Sequence, residues 1–320
     1  MAPTLAEIEQ AAALIHAVMP PTPQYCWPLL SKRSGAETWV KHENHTPVGA
    51  FKIRGGILYM AELRQREPGL AGVIAATRGN HGQSIAYSAT RTGLHSIIVV
   101  PHGNGREKNA AMQAQGAELI EHGHDFQAAF EYAEALAAER KLHFVRSFEP
   151  TLVRGVASYG LELFRAVADL DAVYVPIGMG SGICAMIAVR GALGLSTEII
   201  GVVAAGAPAY ALSVKASHVV STNSADTIAD GMACRVPLAA AVQIIRQGAA
   251  RIVTVDDAEI RAAMRHYFTD THNVAEGAGA APLAALLQER ERMQGKRVAL
   301  ILSGGNVDRT EFAEILAEAD

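Results

Sequence analysis

Cysteine is scarce in this chain: Cys26, Cys184 and Cys234 are its three, and they lie far apart. They form no CxxC pair and no metal-ligand spacing. An odd, sparse count fits a reducing compartment, so the cytoplasm is the expected location. Charge is also thin, at 19% of residues with a net of -4. That excludes the strong basic field that would hold nucleic acid. No apolar run approaches the roughly 18 residues that suggest a membrane span. The opening residues, Met1 to Ile15, carry Glu7 and Glu9 where a signal peptide would carry basic residues.

What is abundant is apolar. Half of the 320 residues are hydrophobic, which suits a large buried core and argues against disorder. Thr4 with Glu7 reads as a capping box, opening a helix that Pro20, Pro21 and Pro23 stop. Eight short apolar runs are expected strands: 73–77, 96–101, 117–121, 143–147, 172–176, 199–204, 251–255 and 298–302. Helical stretches are expected between most of them, among them 107–115, 126–140, 257–268 and 280–292. Alternating strand and helix means an α/β fold with a mainly parallel sheet covered on both faces. Continuous rather than alternating apolar runs are what buried parallel strands require. The polar stretch 217–226 reads as a loop.

Ligands of open α/β sheets bind at the C-terminal ends of strands. Three Gly-rich turns directly follow strands here: Thr77-Arg78-Gly79-Asn80-His81-Gly82, Gly178-Met179-Gly180-Ser181-Gly182 and Ser303-Gly304-Gly305-Asn306. A fourth cluster, Ala50-Phe51-Lys52-Ile53-Arg54-Gly55-Gly56, opens a helix. The Gly178–Gly182 turn offers free backbone N–H groups to a phosphate, although a tight strand–helix turn would use the same glycines. A dinucleotide fingerprint fails, because the GxGxxG spacing is absent and Glu198 begins its strand instead of ending it. Read alone, Lys52 is better explained as a snorkelling surface lysine than as a buried nucleophile. Asn80 could be a helix cap, and Ser303 a turn residue.

Taken in order, these motifs carry a resemblance that covers Thr22 to Arg309. Lys41-x-Glu43-Asn44…Ala50-Phe51-Lys52-Ile53-Arg54-Gly55-Gly56 resembles the lysine motif of the fold type II pyridoxal phosphate enzymes, in their threonine/serine dehydratase and serine racemase branch. Gly79-Asn80-His81-Gly82-Gln83 is similar to their asparagine loop, and Gly178–Gly182 to their phosphate loop. Ile228-Ala229-Asp230-Gly231, Glu276-Gly277-Ala278-Gly279-Ala280 and Leu302-Ser303-Gly304-Gly305-Asn306 complete the order. The resemblance implies a tryptophan synthase β-like fold of two doubly wound α/β domains. Residues 1–48 with 150–320 would form the large cofactor-binding domain and 49–149 the small one.

The resemblance also implies roles. Lys52 would hold pyridoxal 5′-phosphate as a Schiff base and later move the Cα proton. Phe51 would lie near the ring and Asn80 would bond its phenolic oxygen. Gly178, Met179, Gly180, Ser181 and Gly182 would hold the phosphate, and Ser303 would face the pyridine nitrogen. Thr77, Arg78, Gly79, Asn80 and His81 would receive the substrate carboxylate. The implied activity is β-elimination from a β-hydroxy-α-amino acid: threonine, serine, or a larger one such as phenylserine or 3-hydroxyaspartate. A homodimer is implied as well. A β-replacement synthase of the cysteine synthase type and an amino-acid racemase are the alternatives.

The departures from the pattern sharpen these expectations. Arg78 stands where the racemase branch has a serine acid–base, and arginine makes a poor base, so elimination is expected over racemisation. Arg78 itself reads either as a surface arginine paired with a carboxylate or as a ligand of a substrate carboxylate. Val203 follows Ile200-Gly201-Val202 where some relatives carry a metal-binding Glu, so no metal is expected there. His42/His45 and His122/His124 read as solvated loop histidines. Met179, Ser158 and Tyr159 could shape the substrate pocket. The short distance from the Ser303 turn to Asp320 leads to the expectation of a catabolic enzyme without a regulatory domain.

Overall fold

The computed structural model describes residues 2–319, so Met1 and Asp320, the outer limits of the expected large domain, lie outside the described residues. The strands are β1 (Gln24–Cys26), β2 (Glu37–His42), β3 (Gly72–Ala76), β4 (His95–Val100), β5 (Glu118–Glu121), β6 (His143–Phe144), β7 (Ala172–Pro176), β8 (Glu198–Ala204), β9 (Arg251–Val255) and β10 (Arg297–Leu302). They form a six-stranded sheet, β1-β2-β10-β7-β8-β9, and a four-stranded sheet, β5-β4-β3-β6. Every pairing is parallel except that of β1 with β2.

Both sheets are covered on two faces, as period-2 side-chain alternation requires. In β10, Val298, Leu300 and Leu302 face the helices Asp257–Thr271 and Gly277–Gln288, while Ala299 and Ile301 face Pro150–Ala166 and Ser181–Ala192. In β3, Val73 and Ala75 pack on Lys52–Arg66 and Asn80–Arg91, while Ile74 and Ala76 pack on Phe126–Arg140. The helix Gly277–Gln288 is buried from Gly277 through Leu286, which its near-absence of charge allows.

The expected strands and helices are present, with shifts at their ends. The run 143–147 pairs only over His143–Phe144. The expected helix 280–292 starts earlier, at Gly277, and breaks after Gln288 before a short Arg290–Met293 turn. Thr4 and Glu7 form the reciprocal cap of the first helix, Leu5–His16. The polar stretch 217–226 holds neither helix nor strand. Strands β1 and β2 escaped the sequence reading because β2 ends in Lys41 and His42, both polar and both fully buried.

Their burial has a cause. Lys41 Nζ lies 2.6 Å from Glu162 and 2.7 Å from the Thr22 carbonyl. Beside it Arg54, also fully buried, pairs with Glu43 and Glu162, each at 2.6 Å, and donates to Ser158 and Thr22. Buried charges persist only when paired and hydrogen-bonded, and here each carboxylate meets its cation. Ser158 is therefore part of this cluster and does not line the substrate pocket.

His42 corrects a second expectation: it is buried, whereas His45, His122 and His124 are exposed. The Trp27 indole donates to His42 Nε2 at 3.0 Å, and the His42 ring stacks on His45 at 4.9 Å. An imidazole accepting that bond must be neutral, and burial, aided by His45, pushes His42 down to about 4. The unfolded histidine titrates near 6.5, so the stability from neutral His42 is complete above about pH 6.5 and is lost as pH falls through about 4. The thermal midpoint should fall over that window. His42→Gln, which can still accept from Trp27, should flatten the fall. An unchanged slope in this variant would contradict the assignment.

Candidate active site

Three strand ends and one helix start converge on a single pocket. Thr77 to His81 follow β3, Gly178 to Gly182 follow β7, Ser303 follows β10, and Phe51 and Lys52 open the helix Lys52–Arg66. Every one of these residues lines the pocket. The helix start is tied to β10 by the Phe51 N–H, which donates to Ser303 O at 3.0 Å, and by the Ala50–Gly304 bridge. Lys52 is thereby carried to the end of a strand 245 residues and more further along the chain.

Lys52 Nζ donates to Ser181 Oγ at 3.0 Å and stands 5.0 Å from the centre of the Phe51 ring. Among the described residues no carboxylate pairs with it, and burial pushes its pKa down to about 8. Roughly a tenth is thus an unprotonated, nucleophilic amine at neutral pH, far more than for an exposed lysine. Ser84 Oγ donates to the Lys52 carbonyl at 2.7 Å and braces the backbone.

The loop after β7 presents backbone N–H groups, and its shape demands glycine at two positions. Gly180 has φ +94°, and a Cβ at Gly178 would fall 2.0 Å from the Gly231 carbonyl. Gly180 caps the helix Ser181–Ala192 without a side-chain bond, leaving its first N–H groups for a ligand. The loop is held from behind: Tyr210 donates to Met179 O at 2.8 Å and Tyr159 to Gly182 O at 3.1 Å. Tyr159 therefore supports the loop from within the core, and of the three side chains expected to shape the pocket only Met179 lines it.

After β3, the Thr77 hydroxyl accepts from the Gly79 and Gly82 N–H groups at 2.9 and 3.3 Å. Burial, with Lys52 adding to it, pushes His81 down to about 3, so its ring is neutral. Asn80 Nδ2 donates to Glu276 Oε1 at 2.7 Å and Asn80 Oδ1 accepts from Asn306 Nδ2 at 2.8 Å. Arg78 is 44% exposed and lies 3.5 Å from Asp230, which also accepts from Lys108 Nζ at 2.8 Å. Arg78 thus pairs with a carboxylate, as one reading of the sequence expected, and it also lines the pocket.

These features suit one ligand type: a partly buried amine without a counter-charge, facing a cradle of backbone N–H groups. Comparison with known proteins agrees. The model of the family described as "Pyridoxal-phosphate dependent enzyme" matches residues 17–304. This chain belongs to that family. The family member is 31% identical to the L-threonine ammonia-lyase of Thermotoga maritima over 95% of its own length and 76% of that protein's. It is also 31% identical to the L-threo-3-hydroxyaspartate ammonia-lyase of Saccharomyces cerevisiae, over 98% of its length and 97% of that protein's. The processed form of threonine deaminase isoform 2 from Solanum lycopersicum superposes with a TM-score of 0.90 at 28% identity, covering 99% of this chain and 95% of that one.

Several pocket residues received no role from the sequence, among them Glu276, Asp230, Lys108, Phe126 and Cys234. Glu276 and Asp230 stand within recognised motifs, but nothing local marks them as facing the pocket. Lys108 and Phe126 lie in the first turns of the helices Arg106–Ala114 and Phe126–Arg140 and belong to none of the recognised motifs. Cys234 Sγ packs 3.6 Å from Met179 Sδ, and burial pushes its thiol up to about 11, so it lines the wall as an inert apolar group. Among the described residues no group of three potential ligands could hold a metal ion, and no helix is long and apolar enough to cross a membrane.

Proposed function

We propose that this pocket binds pyridoxal phosphate at Lys52 and eliminates water from a β-hydroxy-α-amino acid, yielding a 2-oxo acid and ammonia. The observation that carries the reading is Lys52 Nζ, partly buried without a carboxylate partner and 3.0 Å from Ser181 Oγ in the anion cradle. When bound, the cofactor withdraws electrons from the substrate's α-carbon and so acidifies its hydrogen. Lys52 would hold the cofactor covalently, and its free amine would take that hydrogen as a general base. Its depressed pKa keeps it available for both tasks. The backbone N–H groups of Gly178 to Gly182 would hold the phosphate, Phe51 would lie near the ring, Asn80 would bond the phenolic oxygen, and Ser303 would face the ring nitrogen.

Thr77, Arg78, Gly79, Asn80 and His81 receive the substrate carboxylate. The neutral His81 adds no charge there, while Arg78 is permanently cationic. A permanently protonated Arg78 cannot return a proton to the second face of the substrate and then regain it, which favours elimination over racemisation. Division into a large part, 1–48 with 150–320, and a small part, 49–149, belongs to the same reading. It is supported by the confinement of the four-stranded sheet to 72–144. So do a cytoplasmic location, supported by three free thiols, and a homodimer, supported by the family resemblance.

The test is release of 2-oxo acid from L-threonine, L-threo-phenylserine and L-threo-3-hydroxyaspartate, with L-serine examined in parallel for D-serine. Turnover of at least one β-hydroxy amino acid, with little D-serine, is the expected result. Abundant D-serine, or activity confined to O-acetylserine with sulfide, would overturn it.

A further inference from the structure

We propose that Glu276 is a positioning residue that holds the Asn80 amide in the one orientation able to donate to the cofactor. The inference rests on the reading above in which Asn80 faces the cofactor's phenolic oxygen. A side-chain amide has an oxygen that only accepts and a nitrogen that only donates, and a half-turn exchanges them. What settles the turn at Asn80 is a chain of partners with a fixed sense.

The chain begins at the Val48 carbonyl, which can only accept. Asn306 must therefore present its Nδ2 there, at 2.8 Å. The same Nδ2 reaches Asn80 at 2.8 Å, so both of its hydrogens are used and Asn80 must meet it with Oδ1. Asn80 Nδ2 then points to Glu276 Oε1 at 2.7 Å, spends one hydrogen on it, and has one N–H left. A reversed Asn80 would set oxygen against oxygen at an ionised Glu276 and nitrogen against nitrogen at Asn306, losing both of its partly buried bonds.

Glu276 is held in place for this task. It is 8% exposed and precedes the buried helix Gly277–Gln288. Its N–H donates to the Gly304 carbonyl at 3.1 Å, beside Ser303. Gly304 leaves room for the carboxyl, since a Cβ there would lie 2.6 Å from Oε1. Burial pushes the carboxyl up to about 7 against the pull of Lys108. Ionised or protonated, it retains an oxygen that accepts from Asn80, so the relay keeps its sense.

The experiment reads the visible absorption of the cofactor-loaded protein without substrate, and cofactor affinity by dialysis. The variants are Glu276→Leu, Glu276→Gln, Asn306→Ala and Asn80→Ala. Asn80→Ala should shift the absorption maximum. Glu276→Leu should shift it in the same sense and weaken cofactor binding about tenfold, the worth of one buried hydrogen bond. Asn306→Ala should give a smaller shift of the same sign. Glu276→Gln, whose Oε1 can still accept, should recover most of the native spectrum, which a purely structural role would not predict. Native spectra in both Glu276→Leu and Asn306→Ala, beside a shifted Asn80→Ala, would overturn the relay while leaving the cofactor reading intact. Native spectra in all three would overturn both. If Glu276→Leu does not fold, Asn306→Ala decides.

Discussion

Replacing Lys52 with alanine should reduce turnover of the best β-hydroxy amino acid by roughly 10⁴-fold or more, the upper range for loss of a general base, with loss of covalent holding added. Two properties of the site carry this expectation. Lys52 Nζ is the amine on the pocket wall that lacks a carboxylate partner, whereas Lys108 is engaged with Asp230 at 2.8 Å. Removing Lys52 therefore leaves no substitute base of similar pKa beside the cradle. It also leaves no orphaned counter-charge, so the fold should survive: thermal midpoint and far-UV circular dichroism should match the native protein. The covalent cofactor link, read by its absorption and by trapping with borohydride, should vanish together with turnover. Retention of activity within about tenfold would remove Lys52 from the chemistry altogether.

Arg54→Ala should destabilise the protein by about 3–5 kcal/mol, the range for breaking a buried ion pair at one partner. Arg54 is fully buried with Glu43 and Glu162, and its loss strands Glu43 in a site with no exposure at all. Lys41 would remain beside Glu162, so the greater part of the penalty falls on Glu43. Thermal and urea unfolding of the cofactor-loaded protein would measure it, and a loss under about 1 kcal/mol would show that the cluster relaxes or hydrates. The same cluster has an acid signature. Burial alone would raise Glu162, but Arg54 and Lys41 hold it at about 2. A depressed carboxyl contributes stability that is complete above its unfolded value, near 4.3, and is lost as pH falls through about 2. In Arg54→Ala this acid limb should move to higher pH.

Much of the pocket was legible before any geometry, and the reason is local. A glycine cluster directly after an apolar strand announces a backbone that must approach something, and Thr77–Gly82, Gly178–Gly182 and Ser303–Gly305 all do so. Their order along the chain supplied the cofactor. What stayed hidden depends on partners distant in sequence. Arg54 reads as one basic residue among many until Glu162, 108 positions later, is beside it. His42 reads as solvated because the Trp27 indole that desolvates it lies on the far side of a helix and a turn. Ser158 and Tyr159 sit on the same helix as Glu162, and only packing reveals that they face the ion cluster and the back of the phosphate loop. Glu276 was visible as a motif residue, yet no periodicity tells which wall of a pocket a carboxyl will face.

The placement of β10 has a consequence for how the molecule is made. It lies between β2 and β7, and the segment carrying Lys52 hangs from its end through Phe51 and Ala50. On the ribosome, β2 must wait for a neighbour synthesised more than 250 residues later, and the pocket cannot close before Leu302 has emerged. The four-stranded sheet, drawn from 72–144, has no such dependence and can form early. Capture of the cofactor is thus a late event in synthesis, and the hydrophobic edge of β7 that β10 will cover stays open to misassociation until then.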